Sequence, residues 1–258
     1  MYLTRQDALE IVQRLKSFES DLNEAFTKRG YSLRNNTGRR NALISIAQER
    51  ETAEVLRKRF KDVIEDGMPG KPDIYIKDIE RELECKITSG SKTKGKTPAY
   101  SFQTDWETIC NKKKLDYLFV VCNREFDQFC VLFFEGLTPE DFYPPASGSR
   151  GKSRMNKANA MQKVTCLLGN YQLKNDIQLN NIKQQFASEV DNHMLNIRDL
   201  HKKYNDIIDT DNIVEKNRIV ELRNKTTAQH RKRVEKFKKR TDYWKNTHKM
   251  YKIILEGV

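Results

Sequence analysis

Two nearly continuous apolar runs in the middle of the chain constrain the fold most strongly. Residues 115–122 contain a single charged side chain, and residues 129–134 contain none. A strand with this composition is covered on both of its faces, as strands are in the interior of a sheet that has helices on either side. Helical patterns precede and separate the predicted strands, so the order helix, hairpin, helix, strand, strand predicts an α/β fold.

A charged hairpin is predicted before these strands. Residues 73–76 and 80–87 predict two short strands joined by a tight turn. Glu84 and Lys86 are two positions apart, so both point to one face of the second strand, close to Asp73 at the start of the first. Two carboxylates brought this close resist joint ionisation unless a cation lies between them. An oxygen-seeking divalent ion such as Mg²⁺ would satisfy that requirement.

The spacing of these residues resembles a known signature. Pro72-Asp73, ten intervening residues and then Glu84-Cys85-Lys86 is similar to the motif of the PD-(D/E)XK nucleases, the superfamily of most type II restriction endonucleases, Holliday-junction resolvases and several repair nucleases. The resemblance covers roughly residues 41–135. It implies a restriction-endonuclease-like core, which is a mixed central sheet flanked by helices, followed here by a C-terminal helical extension.

The resemblance also implies roles for the clustered residues. Asp73 and Glu84, with the main-chain carbonyl of Cys85, would hold one or two Mg²⁺ ions per active site, with Mn²⁺ as a substitute. Lys86 would orient the attacking water or help to deprotonate it, and would stabilise the charge on the phosphate.

A carboxylate on the preceding helix is expected to complete the site. A helix is predicted over residues 41–66, and its apolar stripe consists of Ala53, Leu56, Phe60, Val63 and Ile64. Glu49 continues this stripe backwards at helical spacing. Members of the superfamily commonly carry a glutamate on this helix, which implies that Glu49 is a fourth catalytic residue and contacts a second metal ion. Glu51 and Glu54 remain open as alternatives.

The charge of the chain predicts a polyanionic partner. The formal net charge is +12, and 33% of the residues are charged, which favours steering toward nucleic acid. Polar or basic stretches at 33–41, 89–97 and 147–157 contain little to form a core, so they predict DNA-contacting loops, although each also fits an ordinary solvated loop. A further contact is expected at the start of a helix predicted over 102–113. The expected DNA contacts are Arg34, Asn35, Arg39, Arg40, Lys92, Lys94, Lys96, Gln103, Arg150, Lys152 and Arg154.

The pattern divides the chain into two parts. Residues 1–170 are expected to form the nuclease core with an N-terminal helix, and residues 171–258 a basic helical extension for DNA binding, dimerisation or both. Within the extension, residues 231–240 contain seven basic side chains. The five cysteines form no CxxC pair and are expected to be reduced. Since no signal peptide or membrane-length apolar run is found, we expect a cytoplasmic protein without a membrane partner.

The expected function is therefore that of a type II restriction endonuclease. Such an enzyme cleaves double-stranded DNA at a specific short sequence in the presence of Mg²⁺ and leaves 5′-phosphate and 3′-hydroxyl ends. A homodimer is expected because each strand needs an active site, and a cognate DNA methyltransferase would be a genetic rather than a physical partner. One alternative is a structure-specific or repair nuclease of the same superfamily, such as a resolvase. The other is a nucleic-acid-binding protein without activity, in which the hairpin charges are ordinary surface pairs.

Overall fold

The structure is a computed structural model, which describes residues 1–68, 71–90, 100–148, 151–246 and 250–258. Its contacts divide the chain into two units. The core unit comprises Met1–Gln172 and Lys252–Val258, and the arm comprises Leu173–Tyr251. The boundary expected after residue 170 lies close to the observed one. The end of the chain, which the sequence analysis assigned to the extension, belongs to the core unit.

The elements follow in chain order. The helices are α1 (Arg5–Thr27), α2 (Thr37–Arg57), α3 (Trp106–Lys112), α4 (Lys157–Ala160), α5 (Lys174–Asp206) and α6 (Ile213–Asn246). The strands are β1 (Val63–Glu65), β2 (Ile74–Ile76), β3 (Arg81–Ser89), β4 (Gln103–Asp105), β5 (Leu115–Cys122), β6 (Gln128–Leu137), β7 (Phe142–Tyr143), β8 (Lys152–Met155), β9 (Val164–Leu168), β10 (Asn170–Leu173), β11 (Tyr251–Ile254) and β12 (Glu256–Gly257). Short 3₁₀ turns lie at Leu33–Asn35, Lys77–Ile79 and Pro139–Asp141.

The central sheet is mixed. Its strand order is β1-β2-β3-β5-β6-β12, and β9 also pairs with β6. Strands β3 and β5 are parallel, whereas the neighbouring pairs β2–β3 and β5–β6 are antiparallel. Every residue of β5 is buried, as the apolar run predicts for an interior strand. An α/β fold with a mixed central sheet flanked by helices is therefore confirmed.

The two faces of this sheet are covered differently. On one face, Leu83 and Cys85 of β3 and Leu118 of β5 belong to a continuous apolar core with residues of α1 and α2. Glu84 and Lys86 alternate with these residues and therefore point to the opposite face. That opposite face is the one on which the candidate site lies.

Helix α1 has the start that its sequence predicts. The Thr4 side chain accepts a hydrogen bond from the Asp7 amide, and the Asp7 carboxylate accepts one from the Thr4 amide at 2.7 Å, which completes a capping box. The helix ends at Thr27, before Gly30, which has a φ of +78°. Ala8, Ile11, Val12 and Leu15 are fully buried and belong to one apolar core with residues of α2 and the sheet.

The helix predicted over 41–66 is wrong at both ends. It begins earlier, at Thr37, where the Asn36 side chain accepts a hydrogen bond from the Arg39 amide at 3.1 Å, so part of the expected 33–41 loop is helical. It ends at Arg57, and Val63–Glu65 form an edge strand that pairs with β2. The apolar positions near 63 continue the helical spacing by coincidence, because they are held by strand pairing and not by the helix.

The helix predicted over 102–113 is also shorter than expected. Gln103–Asp105 form β4, which pairs with β8, and only Trp106–Lys112 are helical. Strand β8 pairs in turn with β7, so β7, β8 and β4 form a separate three-stranded sheet, which we call the small sheet.

The arm consists of the two long helices α5 and α6. Phe186 and Phe237 stack with their ring centroids 4.0 Å apart, and His193 and His230 stack at 4.5 Å. The Asn175 side chain donates to the main-chain carbonyl of Trp244 at 3.0 Å. Among the described residues, no helix has the length and apolarity needed to cross a membrane.

Candidate active site

The predicted hairpin is present. Strands β2 and β3 are antiparallel, with Ile74 opposite Leu83 and Ile76 opposite Arg81. The connection is the 3₁₀ turn Lys77–Ile79, and Glu80 follows it with a left-handed φ of +52°. Asp73 directly precedes β2, so the register places it level with Glu84 on β3.

Three charged side chains converge where β2 begins. The Lys86 ammonium donates to Glu84 Oε2 at 2.7 Å and to Asp73 Oδ2 at 3.2 Å. The main-chain N–H of Cys85 also donates to Asp73 Oδ2, at 2.7 Å. The structure thus brings Asp73, Glu84 and Lys86 into one cluster, in which both carboxylates contact the same ammonium.

The cluster is mostly shielded from water but not sealed. The side chains of Asp73 and Glu84 are 16% and 8% exposed, and that of Lys86 is 31% exposed. The carboxylates are therefore substantially desolvated while the ammonium still reaches the surface. Solvent can therefore still reach the cluster at Lys86, next to the two carboxylates.

The environment raises the pKa values of both Glu84 and Lys86, for different reasons. Burial raises the pKa of Glu84, and the nearby Asp73 raises it further against the lowering effect of Lys86. Burial by itself would lower the pKa of Lys86, but the negative charges of Glu84 and Asp73 outweigh burial and raise that pKa above its ordinary value. Lys86 is therefore protonated at neutral pH. For Glu84, the positive charge of Lys86 does not fully offset the effects of burial and of the Asp73 charge.

Helix α2 holds Glu49 beside this cluster. The amide of Gln48 donates to the main-chain carbonyl of Leu118 at 3.2 Å and to that of Lys86 at 3.4 Å, which fixes the helix against β3 and β5. The pKa of Glu49 is raised to about 7, first by burial and then by the charges of Asp73 and Glu84. Glu49 is therefore a helix carboxylate whose pKa depends on the charges of Asp73 and Glu84 in the hairpin.

The two alternative helix carboxylates have other partners. Glu51 pairs with Arg14 of α1 at 3.0 Å, and Glu54 pairs with Arg57 of its own helix at 2.7 Å. Neither pair includes a residue of the hairpin cluster. The geometry therefore favours Glu49 among the three.

The donor set can be compared with the needs of a divalent cation. Asp73, Glu84 and the Cys85 carbonyl offer oxygen atoms, which Mg²⁺ prefers, and Mg²⁺ usually keeps several waters while using one or two carboxylates and substrate phosphates. Among the described residues, no three His, Cys, Asp or Glu side chains converge closely enough to hold an ion. The residues therefore fit an ion that shares its ligands with water and phosphate, and do not form a complete protein cage.

Cys85 can contribute only through its main chain. Its side chain is 2% exposed and belongs to the apolar core on the helix-covered face of the sheet. Burial raises the pKa of the Cys85 thiol well above its usual range. A thiolate ligand is therefore excluded at this position.

Arg40 does not lie on the surface, which corrects its assignment as a DNA contact. The side chain is fully buried, and its guanidinium donates to the main-chain carbonyls of Asn123 and Arg124 and to Ser89 Oγ. It also lies 4.8 Å from the ring centroid of Phe126. Arg40 therefore ties α2 to the end of β5, because a buried cation needs these acceptors.

The other residues expected from the 33–41 stretch are exposed. Arg34, Asn35 and Arg39 lie at the surface. The Arg34 guanidinium is 3.9 Å from the buried Glu19 carboxylate, and Asn35 accepts a hydrogen bond from Arg124 at 2.7 Å. These three residues keep their place as possible contacts, but two of them are already engaged within the protein.

The small sheet brings Gln103 together with Lys152 and Arg154, which lie about fifty residues further along the chain. Gln103, Lys152 and Arg154 are exposed, and Gln103 lies opposite Arg154 in the β4–β8 pair. The remaining expected contacts, Lys92, Lys94, Lys96 and Arg150, lie outside the described residues. In the arm, the basic side chains within 231–240 are exposed along α6.

Two residues of interest were missed by the sequence analysis. Gln48 gave no signal, because a polar residue on a helix is indistinguishable from a solvated one until the strands beneath it are known. Tyr143 lies opposite Arg154 in the β7–β8 pair, and its short segment carried no strand pattern that could have found it.

No family model, curated protein or solved structure matches this chain in comparisons with known proteins.

Proposed function

We propose that the protein is a Mg²⁺-dependent DNA endonuclease with a restriction-endonuclease-like core, which cleaves double-stranded DNA at a short specific sequence. The observation that carries this proposal is the convergence of Asp73 and Glu84 on Lys86 at the start of the hairpin, at 3.2 and 2.7 Å. The spacing of the motif and the +12 charge of the chain support the same reading.

The roles follow from the geometry. Asp73, Glu84 and the Cys85 carbonyl would hold the divalent ion, which neutralises charge on the phosphate and makes a bound water more acidic. Lys86, which stays protonated, would donate hydrogen bonds to the phosphate oxygens as negative charge develops. A permanent cation is a poor base, so the raised pKa of Lys86 favours charge stabilisation over proton abstraction.

Glu49 is suited to proton transfer. A general base works best when its pKa lies near the working pH, and the pKa of Glu49 is about 7. From α2 it would accept a proton from water held beside Asp73 and Glu84, directly or through a second hydrated ion. The products would carry 5′-phosphate and 3′-hydroxyl ends.

One feature of the core unit favours a sequence-specific enzyme over a junction-specific or repair nuclease and over a DNA-binding protein without activity. Exposed polar elements outside the catalytic cluster, namely the small sheet and the 33–39 segment, give the core surfaces that could contact DNA bases or phosphates. A palindromic site would be cut by a symmetric homodimer. A junction-specific or repair nuclease uses the same cluster on another substrate.

The test is digestion of unmethylated phage DNA with Mg²⁺, followed by sequencing of the ends. Asp73→Ala and Lys86→Ala should abolish cleavage and leave DNA binding largely intact. Glu82→Gln is the matched control for Glu84→Gln, because Glu82 lies two residues earlier on the same strand but pairs with Lys112 at 2.7 Å. Only the Glu84 variant should lose activity.

The pattern of products separates the candidate functions. Discrete bands with uniform ends support a restriction enzyme, and cutting confined to branched or mismatched substrates supports a resolvase or repair nuclease. Retardation of DNA in a gel without cutting under any divalent ion would refute the proposal. Wild-type turnover by Asp73→Ala would refute the site assignment.

A further inference from the structure

The small sheet presents a row of three exposed side chains, one from each strand. Gln103 on β4 lies opposite Arg154 on β8, and Arg154 lies opposite Tyr143 on β7. Residues opposite one another on neighbouring strands point to the same face, so the amide, the guanidinium and the phenol ring are side by side. All three are exposed, and Tyr143 is 48% exposed.

The other face of the small sheet anchors it to the central sheet. Thr104, between Gln103 and Asp105, is buried, and its hydroxyl is 2.7 Å from the Tyr117 hydroxyl. The ring of Phe102, just before β4, contacts that of Phe119 in an edge-to-face arrangement with centroids 4.9 Å apart. The three side chains of the row therefore lie on a sheet that packs against the central sheet, and not on an isolated loop.

This anchor places the row beside the candidate active site. In the parallel β3–β5 pair, Tyr117 is opposite Glu84 and Phe119 is opposite Lys86. Paired residues share a face, so the small sheet rests on the same face of the central sheet as the catalytic cluster. The negative charge of Glu84 contributes to a raised pKa of Tyr117, after the larger effect of burial. A DNA substrate bound at the cluster would therefore lie against this side of the core unit.

The chemistry of the row suits base edges more than phosphates. Among the described residues, no carboxylate pairs with Arg154, whereas the neighbouring Lys152 is 3.5 Å from Asp105. A free guanidinium recognises guanine by two parallel hydrogen bonds, and a Gln amide recognises adenine in the same way. The Tyr143 hydroxyl donates to Asn156 at 3.2 Å, which orients the exposed ring.

We propose that the row Gln103–Arg154–Tyr143 reads base edges in the major groove of duplex DNA and so determines which sequence is cleaved. The inference rests on the proposed nuclease function, because it assigns the specificity of the same site. A small β-sheet can enter the major groove, where each base pair has a distinct pattern of donors and acceptors. The charge complementarity between a basic chain and DNA selects this partner.

The experiment measures sequence preference separately from cleavage. Full-length Asp73→Asn protein is incubated with a pool of random duplexes in Ca²⁺, and the bound fraction is sequenced. Arg154→Lys keeps the charge but loses the paired donors, so preference at one base pair should fall by about 5-fold or more, which is the lower end of the discrimination that a bidentate contact provides. Gln103→Ala should lose preference at a different position.

Matched controls identify what is specific to the row. Arg29→Lys, at an exposed arginine just beyond α1, should leave the selected sequence unchanged. Tyr143→Phe retains the ring and tests the orienting hydrogen bond, whereas Tyr143→Ala removes the ring and should weaken the preference further. Circular dichroism of each variant confirms that the protein is folded, and Arg154→Lys, at a surface position, should have the wild-type spectrum.

The outcomes separate the two proposals. An unchanged preference in Arg154→Lys and Gln103→Ala would overturn the inference, as would the absence of any preference in the parent protein. If wild-type protein cleaves a defined site and Arg154→Lys cleaves that same site equally well, the nuclease function stands and the row is not its reader. If no protein cleaves but the selected sequences differ between the parent and the row variants, the row reads DNA and the nuclease function fails.

Discussion

Replacement of Glu49 by glutamine is expected to stabilise the metal-free protein at alkaline pH. The pKa of Glu49 is raised from 4.5 to about 7, first by burial and then by the charges of Asp73 and Glu84. An acid with a higher pKa in the folded state holds its proton more tightly there than in the unfolded chain. Stability is therefore lost as the pH rises from about 4.5 through 7, and glutamine, which resembles the protonated acid, avoids that loss.

The magnitude follows from the size of the shift. A change from 4.5 to about 7 corresponds to an upper limit of about 3.4 kcal/mol, because each pKa unit is worth ~1.4 kcal/mol. Glu49 is only half-buried, so screening by water reduces the expected gain to about 1–2 kcal/mol at pH 8. At pH 5 about a quarter of the gain remains, since Glu49 is then protonated in the folded state and partly protonated in the unfolded state.

The assay is urea unfolding in the presence of a chelator, at pH 5 and pH 8. The chain has two tryptophans, so a Trp244→Phe background leaves Trp106 of the core unit as the fluorescent reporter. Glu51→Gln is the matched control on the same helix. Because Glu51 pairs with Arg14, its loss should change stability by about 0 to 1 kcal/mol in the destabilising direction at both pH values.

The reasoning would be refuted by either of two results. Glu49→Gln could lower the free energy of unfolding at pH 8, which would mean that the carboxylate makes favourable contacts when ionised. It could also stabilise the protein equally at both pH values, which would mean that the effect does not come from ionisation. The stabilised variant should at the same time cleave DNA more slowly, as is common when a site is strained for function.

Three further predictions concern residues outside the catalytic cluster. Arg40→Met should destabilise the core unit by about 2–4 kcal/mol because it leaves buried carbonyls without donors, whereas Arg39→Met at the exposed neighbouring position should change the free energy of unfolding in urea very little. Gly169→Ala should cost about 2–4 kcal/mol in the same assay, since Gly169 has a φ of +73° and an added Cβ would lie 2.6 Å from a main-chain carbonyl. Burial, with the adjacent His230, lowers the pKa of His193, so the helical signal of the arm should melt at a lower temperature as the pH falls through about 6.5. His193→Asn should reduce that dependence, and equal melting shifts in both proteins would contradict it.

The hairpin was predictable because its determinants are local. Alternating side chains fix which residues share a face, and the spacing between Asp73 and Glu84 fixes their register once the two strands are antiparallel. Strand β5 was predictable for the same reason, because its apolar run indicates a strand with both faces covered by other parts of the protein. The choice of Glu49 from the helix rested on helical register and on the resemblance to the PD-(D/E)XK nucleases, and the ion pairs of Glu51 and Glu54 favour it.

Features that depend on distant pairing were not predictable in this way. The end of α2 was placed too late because the apolar residues of β1 continue the helical spacing, and only pairing with β2 makes them a strand. β4 was assigned to a helix because its partner, β8, lies about fifty residues further along the chain. Arg40 was taken for a DNA contact because its acceptors, including Ser89, come from other parts of the sequence. β12, at the very end of the chain, returns to pair with β6, which no local pattern indicates.

The most direct test of the central claim is a titration with Mn²⁺ followed by electron paramagnetic resonance. Wild-type protein should bind one or two ions per chain in competition with Mg²⁺, and Asp73→Asn and Glu84→Gln should each weaken binding by about 10-fold or more, since each removes a charged oxygen ligand. Glu82→Gln, on the same strand, should bind as the wild type does. Equal affinity in all four proteins, or no binding by the wild type even with DNA present, would contradict the account of Asp73 and Glu84 as a divalent-cation site.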